Sequence, residues 1–174
     1  IGGKVDMRVP KVNLLEFKET AAIMGDPEDL VFGILVNISG DINGMMMFLV
    51  KVDSARALIK YLLGAQFAQR EIGEEFNEID LSALREIGNI LTSAYLNALS
   101  MMINKQAIPS VPYLAKDMAA AIMSVPAIEF GKIADKVVFI ESVFNTDDEV
   151  VSGYFILVPD LQSFKLILSS LGVE

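Results

Sequence analysis

A carboxylate and a carboxamide, Glu86 and Asn89, stand three residues apart in a segment with strong helical periodicity, predicted as a helix over Asp80–Ile103. At 100° per residue, both side chains fall in a polar arc of about 80°. Apart from Glu86, the arc contains only short neutral polar side chains: Ser82, Asn89, Ser93, Asn97 and Ser100. A merely solvated helix face usually carries Lys, Arg and Glu in i,i+4 pairs, so this stripe favours a surface that receives a partner. The alternative is an ordinary surface helix.

The composition limits the chemistry that this stripe can perform. The 174 residues include no Cys, His or Trp, which excludes Cys nucleophiles, Ser-His-Asp triads and zinc sites built on Cys or His. Any catalysis must therefore use carboxylates, amides, hydroxyls, Lys or Arg. The net charge of −9 argues against nucleic acid and anionic membranes as partners. No apolar run reaches the 18 residues of a transmembrane helix, and residues 1–20 lack a signal-peptide layout, so we expect no membrane insertion and a cytoplasmic protein.

The rest of the predicted helix is apolar on the side away from the polar arc, except for one glycine. Gly88 lies in the middle of the helix, where it is less favourable than Ala by roughly 1 kcal/mol. Such a glycine indicates either close packing against a neighbour or a partner that approaches the backbone. We expect the following side chains to face the core: Leu81, Leu84, Ile87, Leu91, Ala94, Tyr95, Ala98 and Met102.

The chain contains an internal repeat. Gly44–Gly64 and Gly153–Gly172 each read as a strand, an amphipathic helix and a closing Gly, and Val9-Pro10 corresponds to Val111-Pro112. We therefore predict one domain over 1–174, with a first half at 1–72 and a second half at 73–174. Val, Ile, Phe and Met content with turn breaks predicts extended segments at Val5–Val9, Leu14–Glu19, Leu30–Ile38, Met45–Val50, Ala107–Val111, Met118–Val125, Lys136–Phe144 and Ser152–Val158.

The repeat predicts a helix that the first half lacks. Asp80–Ile103 opens the second half, so its counterpart of roughly 20–25 residues should precede Ile1. The alternative is that the first half has no such helix. Without it, apolar surface would be exposed on the sheet, and we expect the chain in this form to self-associate.

The motif residues resemble those of the CheC, CheX and FliY family of bacterial chemotaxis phosphatases. The family's signature is Asp or Ser, three residues, Glu, two residues, Asn, 22 residues and Pro. Ser82, Glu86, Asn89 and Pro112 match every position of it, and the duplicated layout of the entire chain resembles CheC in particular. The resemblance implies a mixed α/β (α+β) fold with pseudo-two-fold helix–strands–helix halves, and an antiparallel sheet with two long helices on one side.

The resemblance also implies a function, which is removal of the phosphoryl group from the phosphorylated response regulator CheY. Asn89 would orient the attacking water, and Glu86 would pair with a Lys of the regulator. Ser82 would help to cap or orient the first helical turn, and Pro112 would shape the chain where the helix leads into the sheet. The chain would hold no cofactor of its own, since Mg²⁺ is expected in the regulator's pocket. CheD, a receptor deamidase, is a further implied partner.

Two other functions stay open at this point. One is a non-enzymatic flagellar switch module that resembles the middle domain of FliM, which shares the fold. The other is a module that binds the phosphorylated regulator without useful turnover, because CheC-type chains usually carry two Glu/Asn sites and this sequence contains one. CheX-type chains have one site and dimerise, whereas FliY-type chains add a flagellar-switch domain.

Overall fold

The computed structural model describes residues 6–7, 11–23, 25–64, 75–130, 136–145, 150–170 and 172. The same order of elements occurs twice along the described chain: two strands, a helix, two strands and a helix, with the long helix Glu78–Ile103 before the second copy. The strands are β1 (Asp6–Met7), β2 (Lys11–Glu16), β3 (Leu30–Gly40), β4 (Gly44–Lys51), β5 (Ala107–Pro109), β6 (Tyr113–Met118), β7 (Lys136–Asn145) and β8 (Val150–Pro159). The helices are α1 (Phe17–Ile23), α2 (Val52–Leu63), α3 (Glu78–Ile103), α4 (Ala119–Phe130) and α5 (Leu161–Ser170).

All eight strands in the described part of the chain join one antiparallel sheet. The order across the sheet is β1-β7-β8-β4-β3-β5, with β2 also paired to β7 and β6 also paired to β3. The mixed α/β fold with an antiparallel sheet, predicted from the sequence, is therefore confirmed.

The strand pairing relates the two halves by a pseudo-two-fold axis. β4 of the first half pairs with β8 of the second, and Phe48 lies directly opposite Phe155 in this pair. The two rings stack with their centroids 4.4 Å apart. On either side of this centre the halves exchange strands, since β2 of the first half pairs with β7 of the second, and β6 of the second pairs with β3 of the first.

Helices cover both faces of the sheet. On one face, α2, α3 and α5 pack over a cluster that includes Phe32, Ile34 and Phe48. On the other face, α4 packs over a second cluster that includes Met47 and Leu49. The prediction named only two long helices on one side of the sheet. The structure adds shorter helices, which cover the opposite face as well. Of the two long helices, only α3 lies within the described residues, and its first-half counterpart before Ile1 stays a prediction.

Two segments predicted as extended contain helices instead. Met118–Val125 is almost entirely helical, since β6 ends at Met118 and α4 begins at Ala119. A continuous apolar run suits a buried strand or a buried helix equally well, and the three alanines at 119–121 favour the helix. The same error occurs at the equivalent place in the first half, where Leu14–Glu19 leaves β2 at Glu16 and enters α1.

The other predicted strands lie close to the observed ones. Within Leu30–Ile38, Val31–Val36 and Ile38 are buried, whereas Leu30 and Asn37 are exposed. Of the predicted strand Val5–Val9, only Asp6–Met7 (β1) lies within the described residues, and Pro10 lies outside them.

No helix in the described part of the chain combines the length and the apolar character that crossing a membrane requires.

Gly88 is a point of close contact between α3 and the sheet. A Cβ atom built on Gly88 would collide with Cδ1 of Ile34 on β3 and would lie 3.0 Å from both Cγ1 and Cγ2 of the same side chain. Of the two interpretations of this glycine, the structure supports close packing. Because Asn89 is the next residue, the same contact fixes the height at which the polar arc stands above the sheet.

We expect Gly88→Ala to lower the free energy of unfolding by up to about 2 kcal/mol. Overpacking of about 1–3 kcal/mol would exceed the roughly 1 kcal/mol that Ala gains in helix propensity. Urea denaturation measures the change. Ile34→Val removes Cδ1 and serves as the partner in a double-mutant cycle, in which the double variant should lose less than the sum of the two single variants. Stabilisation by Gly88→Ala without coupling to Ile34 would contradict this packing.

Candidate functional site

The helix that carries Glu86 and Asn89 begins with a capping box. The side chain of Asn77 accepts a hydrogen bond of 2.9 Å from the backbone N–H of Asp80, and the Asp80 carboxylate accepts one of 2.9 Å from the backbone N–H of Asn77. These bonds satisfy two backbone donors at the helix start. The helix therefore starts at Glu78, two residues earlier than predicted. Ser82 lies in the second turn and is exposed, so the predicted capping role belongs to Asn77 and Asp80 instead.

Aromatic packing fixes this helix start against the sheet. Phe76, which precedes the cap, meets Phe32 of β3 edge to face with the ring centroids 4.9 Å apart. The guanidinium of Arg56 on α2 lies 4.4 Å from the centroid of the Phe76 ring. The start of α3 is thus held between β3 and α2.

The buried side of α3 differs from the predicted apolar side. The line that faces the sheet runs through Leu84, Gly88, Thr92 and Leu96, which are all buried. Three residues that were predicted to face the core, Ala94, Ala98 and Met102, are exposed instead. The buried line includes Gly88, which packs against Ile34 of β3, and it is displaced from the middle of the predicted apolar arc.

The polar arc faces solvent, as its periodicity predicted. Ser82, Glu86, Asn89 and Asn97 are exposed, whereas Ser93 and Ser100 are half-buried. The Ser100 hydroxyl has a structural role, because it accepts a hydrogen bond of 3.2 Å from the backbone N–H of Ala107, where β5 begins.

Glu86 and Asn89 lie one turn apart on this exposed face. Neither side chain makes a hydrogen bond or ion pair with another described residue. The carboxylate can accept hydrogen bonds or pair with a cation, and the carboxamide can both donate and accept. The pair is therefore available to a molecule that approaches the helix from solvent.

Pro112 lies outside the helix, on the connection between β5 and β6, and is half-buried. Ser110, two residues before Pro112, connects this segment to β3 through two hydrogen bonds with Asn37. The Ser110 backbone N–H donates to the carbonyl oxygen of Asn37 at 2.8 Å, and the Ser110 hydroxyl accepts from the Asn37 N–H at 3.0 Å. The structure thus brings Glu86 and Asn89 together with Ser82 on one helix face, while Pro112 belongs to the edge of the sheet.

The described residues contain no group of three or more Asp or Glu side chains that could hold a metal ion. The pKa of the Tyr154 hydroxyl on β8 is raised by burial and by the nearby Glu141 carboxylate. Tyr154 packs against the cluster beneath α4, on the face of the sheet opposite α3, so its altered pKa is unrelated to Glu86 and Asn89.

Solved structures share this fold. FliY of Thermotoga maritima matches 98% of this chain and 83% of its own with a TM-score of 0.69 and 18% sequence identity. The FliM middle domain of Vibrio alginolyticus matches 97% of this chain and 86% of its own with a TM-score of 0.61 and 12% identity. A CheX–CheY–BeF3–Mg²⁺ complex from Borrelia burgdorferi matches 91% of this chain and 85% of the solved chain with a TM-score of 0.52 and 13% identity.

Sequence comparison identifies the family. The profile described as "CheC-like family" matches residues 79–114, a segment that includes Ser82, Glu86, Asn89 and Pro112. The "CheY-P phosphatase CheC" of Bacillus subtilis (strain 168) is 31% identical over 174 residues, which cover 98% of this chain and 82% of the relative. The resemblance drawn from the motif is thereby confirmed, and the chain belongs to the CheC-like family.

Proposed function

We propose that this chain is a phosphatase that hydrolyses the aspartyl phosphate of the phosphorylated chemotaxis response regulator CheY. The observation that carries the proposal is the pair of Glu86 and Asn89, exposed and unengaged on one face of α3, within the segment that matches the CheC-like family. The relative from Bacillus subtilis, which bears the name of a CheY-P phosphatase, supports the same activity. Such a protein would act in the cytoplasm, where the regulator is expected.

The chemistry requires little from this chain beyond positioning. Water attacks the phosphorus atom, the bond between phosphorus and the aspartyl oxygen breaks, and the products are inorganic phosphate and the regulator's free carboxylate. Phosphoryl transfer of this kind has a loose transition state, so alignment and charge neutralisation matter more than a strong nucleophile on the protein. The absence of Cys and His from the sequence is compatible with this division of tasks.

Asn89 would provide the alignment. Its carboxamide oxygen can accept a hydrogen bond from the attacking water and leave the water's lone pair directed at phosphorus. The side chain can reach into a partner because it projects from the exposed face of a helix whose backbone is held against β3 at Gly88. Mg²⁺ in the regulator's own pocket would neutralise the phosphoryl oxygens.

Glu86 would provide the docking contact. It lies one turn before Asn89 on the same face, so a partner that receives Asn89 also meets the Glu86 carboxylate. Pairing with a lysine beside the phosphorylation site would orient the regulator and speed its encounter with a chain of net charge −9. Ser82 lies one turn earlier, at the edge of the same contact.

The fold alone does not separate this activity from a flagellar switch module, since the FliM middle domain has the same fold. A switch module would have no use for an exposed Glu86 and Asn89. Release of inorganic phosphate from phosphorylated CheY, measured with and without this chain, distinguishes the two. Binding without accelerated release would instead indicate a module that senses the regulator. CheD remains a predicted partner.

We expect Asn89→Ala to lower the rate of dephosphorylation by about 10²–10³-fold, which is the usual effect of removing a group that stabilises or orients the transition state. The fold should be intact because the side chain is exposed. Asn97→Ala is the matched control, since Asn97 is also an exposed carboxamide on α3, two turns further along. Full activity of Asn89→Ala would refute the catalytic assignment.

We expect Glu86→Lys to weaken binding to the regulator more than Glu86→Gln does, because Lys would place like charges in contact. Titration against CheY that carries a phosphate mimic measures both affinities. Glu28→Lys, at an exposed position before β3, makes the same change in net charge away from the site. Equal affinities for the wild type and both Glu86 variants would exclude Glu86 from the interface.

A further inference from the structure

A groove of about 490 Å³ lies directly beside Glu86. It runs between the C-terminal end of α2 and the first half of α3. Leu62 and Leu63 line it from α2, and Glu86 forms part of its wall on α3 together with Ser82. Two of the four motif residues therefore line a groove that the motif alone does not reveal.

The groove's α3 side is unusually apolar for a solvent-facing surface. Ile79 is 62% exposed and Ile90 is 53% exposed, and both line the groove. At 100° per residue, these two residues and Glu86 lie within about 40° of one another, with Glu86 between them along the helix. A carboxylate flanked by two exposed isoleucines is typical of a contact surface, where apolar neighbours exclude water from a central charged pair.

The charge of the groove indicates the kind of partner. Among the described residues, the charged side chains that line it are Glu78 and Glu86, both acidic. Its occupant must therefore combine a cationic group with an apolar side chain. A second copy of this chain is a poor occupant, because a symmetric contact would bring the glutamates of both copies together.

We propose that this groove receives an apolar side chain of the phosphorylated regulator, next to the lysine that pairs with Glu86. The inference rests on the proposed function, since a regulator that meets Glu86 must also cover the groove of which Glu86 is a wall. Ile79 and Ile90 then determine affinity and partner choice without touching the phosphoryl group. Burial of these side chains also removes water from around the ion pair and so strengthens it.

Single and double Ile79→Ser and Ile90→Ser variants test the inference by steady-state phosphate release. We expect each single variant to raise KM about tenfold with little change in kcat, because a docking contact contributes equally before and in the transition state. The dissociation constant for CheY with a phosphate mimic should rise by the same factor. Ile90→Leu should retain nearly wild-type KM, since it preserves the buried apolar surface.

Met101→Ser is the matched control. Met101 is an apolar side chain of the same helix, 84% exposed, and it does not line the groove. Its replacement should leave KM unchanged. Ionic strength provides a second test that separates the apolar contact from the ionic one. The increase in KM caused by Ile90→Ser should persist at high ionic strength, whereas the effect of Glu86→Gln on KM should diminish.

The outcomes separate this inference from the function on which it rests. If the wild type releases phosphate and both Ser variants keep its KM, the groove is not a docking site and the phosphatase proposal stands. If the wild type neither binds nor dephosphorylates CheY, both proposals fail. If Ile90→Ser converts a dimer into a monomer in sedimentation without any change in KM, the groove binds a second copy and the inference is overturned.

Discussion

The packing of α3 onto β3 at Gly88 is the contact on which the rest of this structure depends. Only a residue without a Cβ leaves room for the Ile34 side chain at this point. The contact sets the height of a 26-residue helix above the sheet and, through the helical periodicity, decides which side chains face solvent. Glu86 and Asn89 flank this glycine, so the residue that packs the helix against the sheet also positions these two side chains.

The pseudo-two-fold sheet is the surface on which α3 packs at that contact. Phe48 and Phe155 stack at its centre, and Tyr95 of α3 packs against Phe155 with the ring centroids 4.5 Å apart. Because the halves exchange β2 and β6, each half completes the sheet of the other. The helix with the candidate site therefore lies over strands from both halves, and its position depends on the folding of the entire sheet.

The candidate site is exposed and has few polar side chains, as we expect if its partner supplies most of the chemistry. An enzyme that binds a small substrate usually buries its reactive groups in a pocket of its own. Here Glu86 and Asn89, the candidate pair, lie on an exposed helix face, and the neighbouring groove is largely apolar with two glutamates in its lining. Such a surface suits recognition of a folded protein that brings its own phosphoryl group, cation and lysine.

The sequence by itself determined the features that depend on local periodicity: the polar arc of Glu86 and Asn89 on a long helix, the repeat and the extended run Leu30–Ile38. Tertiary structure decided the rest, because those features depend on distant parts of the chain. The run Met118–Val125 suits either a strand or a helix until its place over the sheet is known. The buried line of α3 follows from where Ile34 meets Gly88, and the groove forms only when Leu62 of α2 comes to lie beside Ile79 and Ile90.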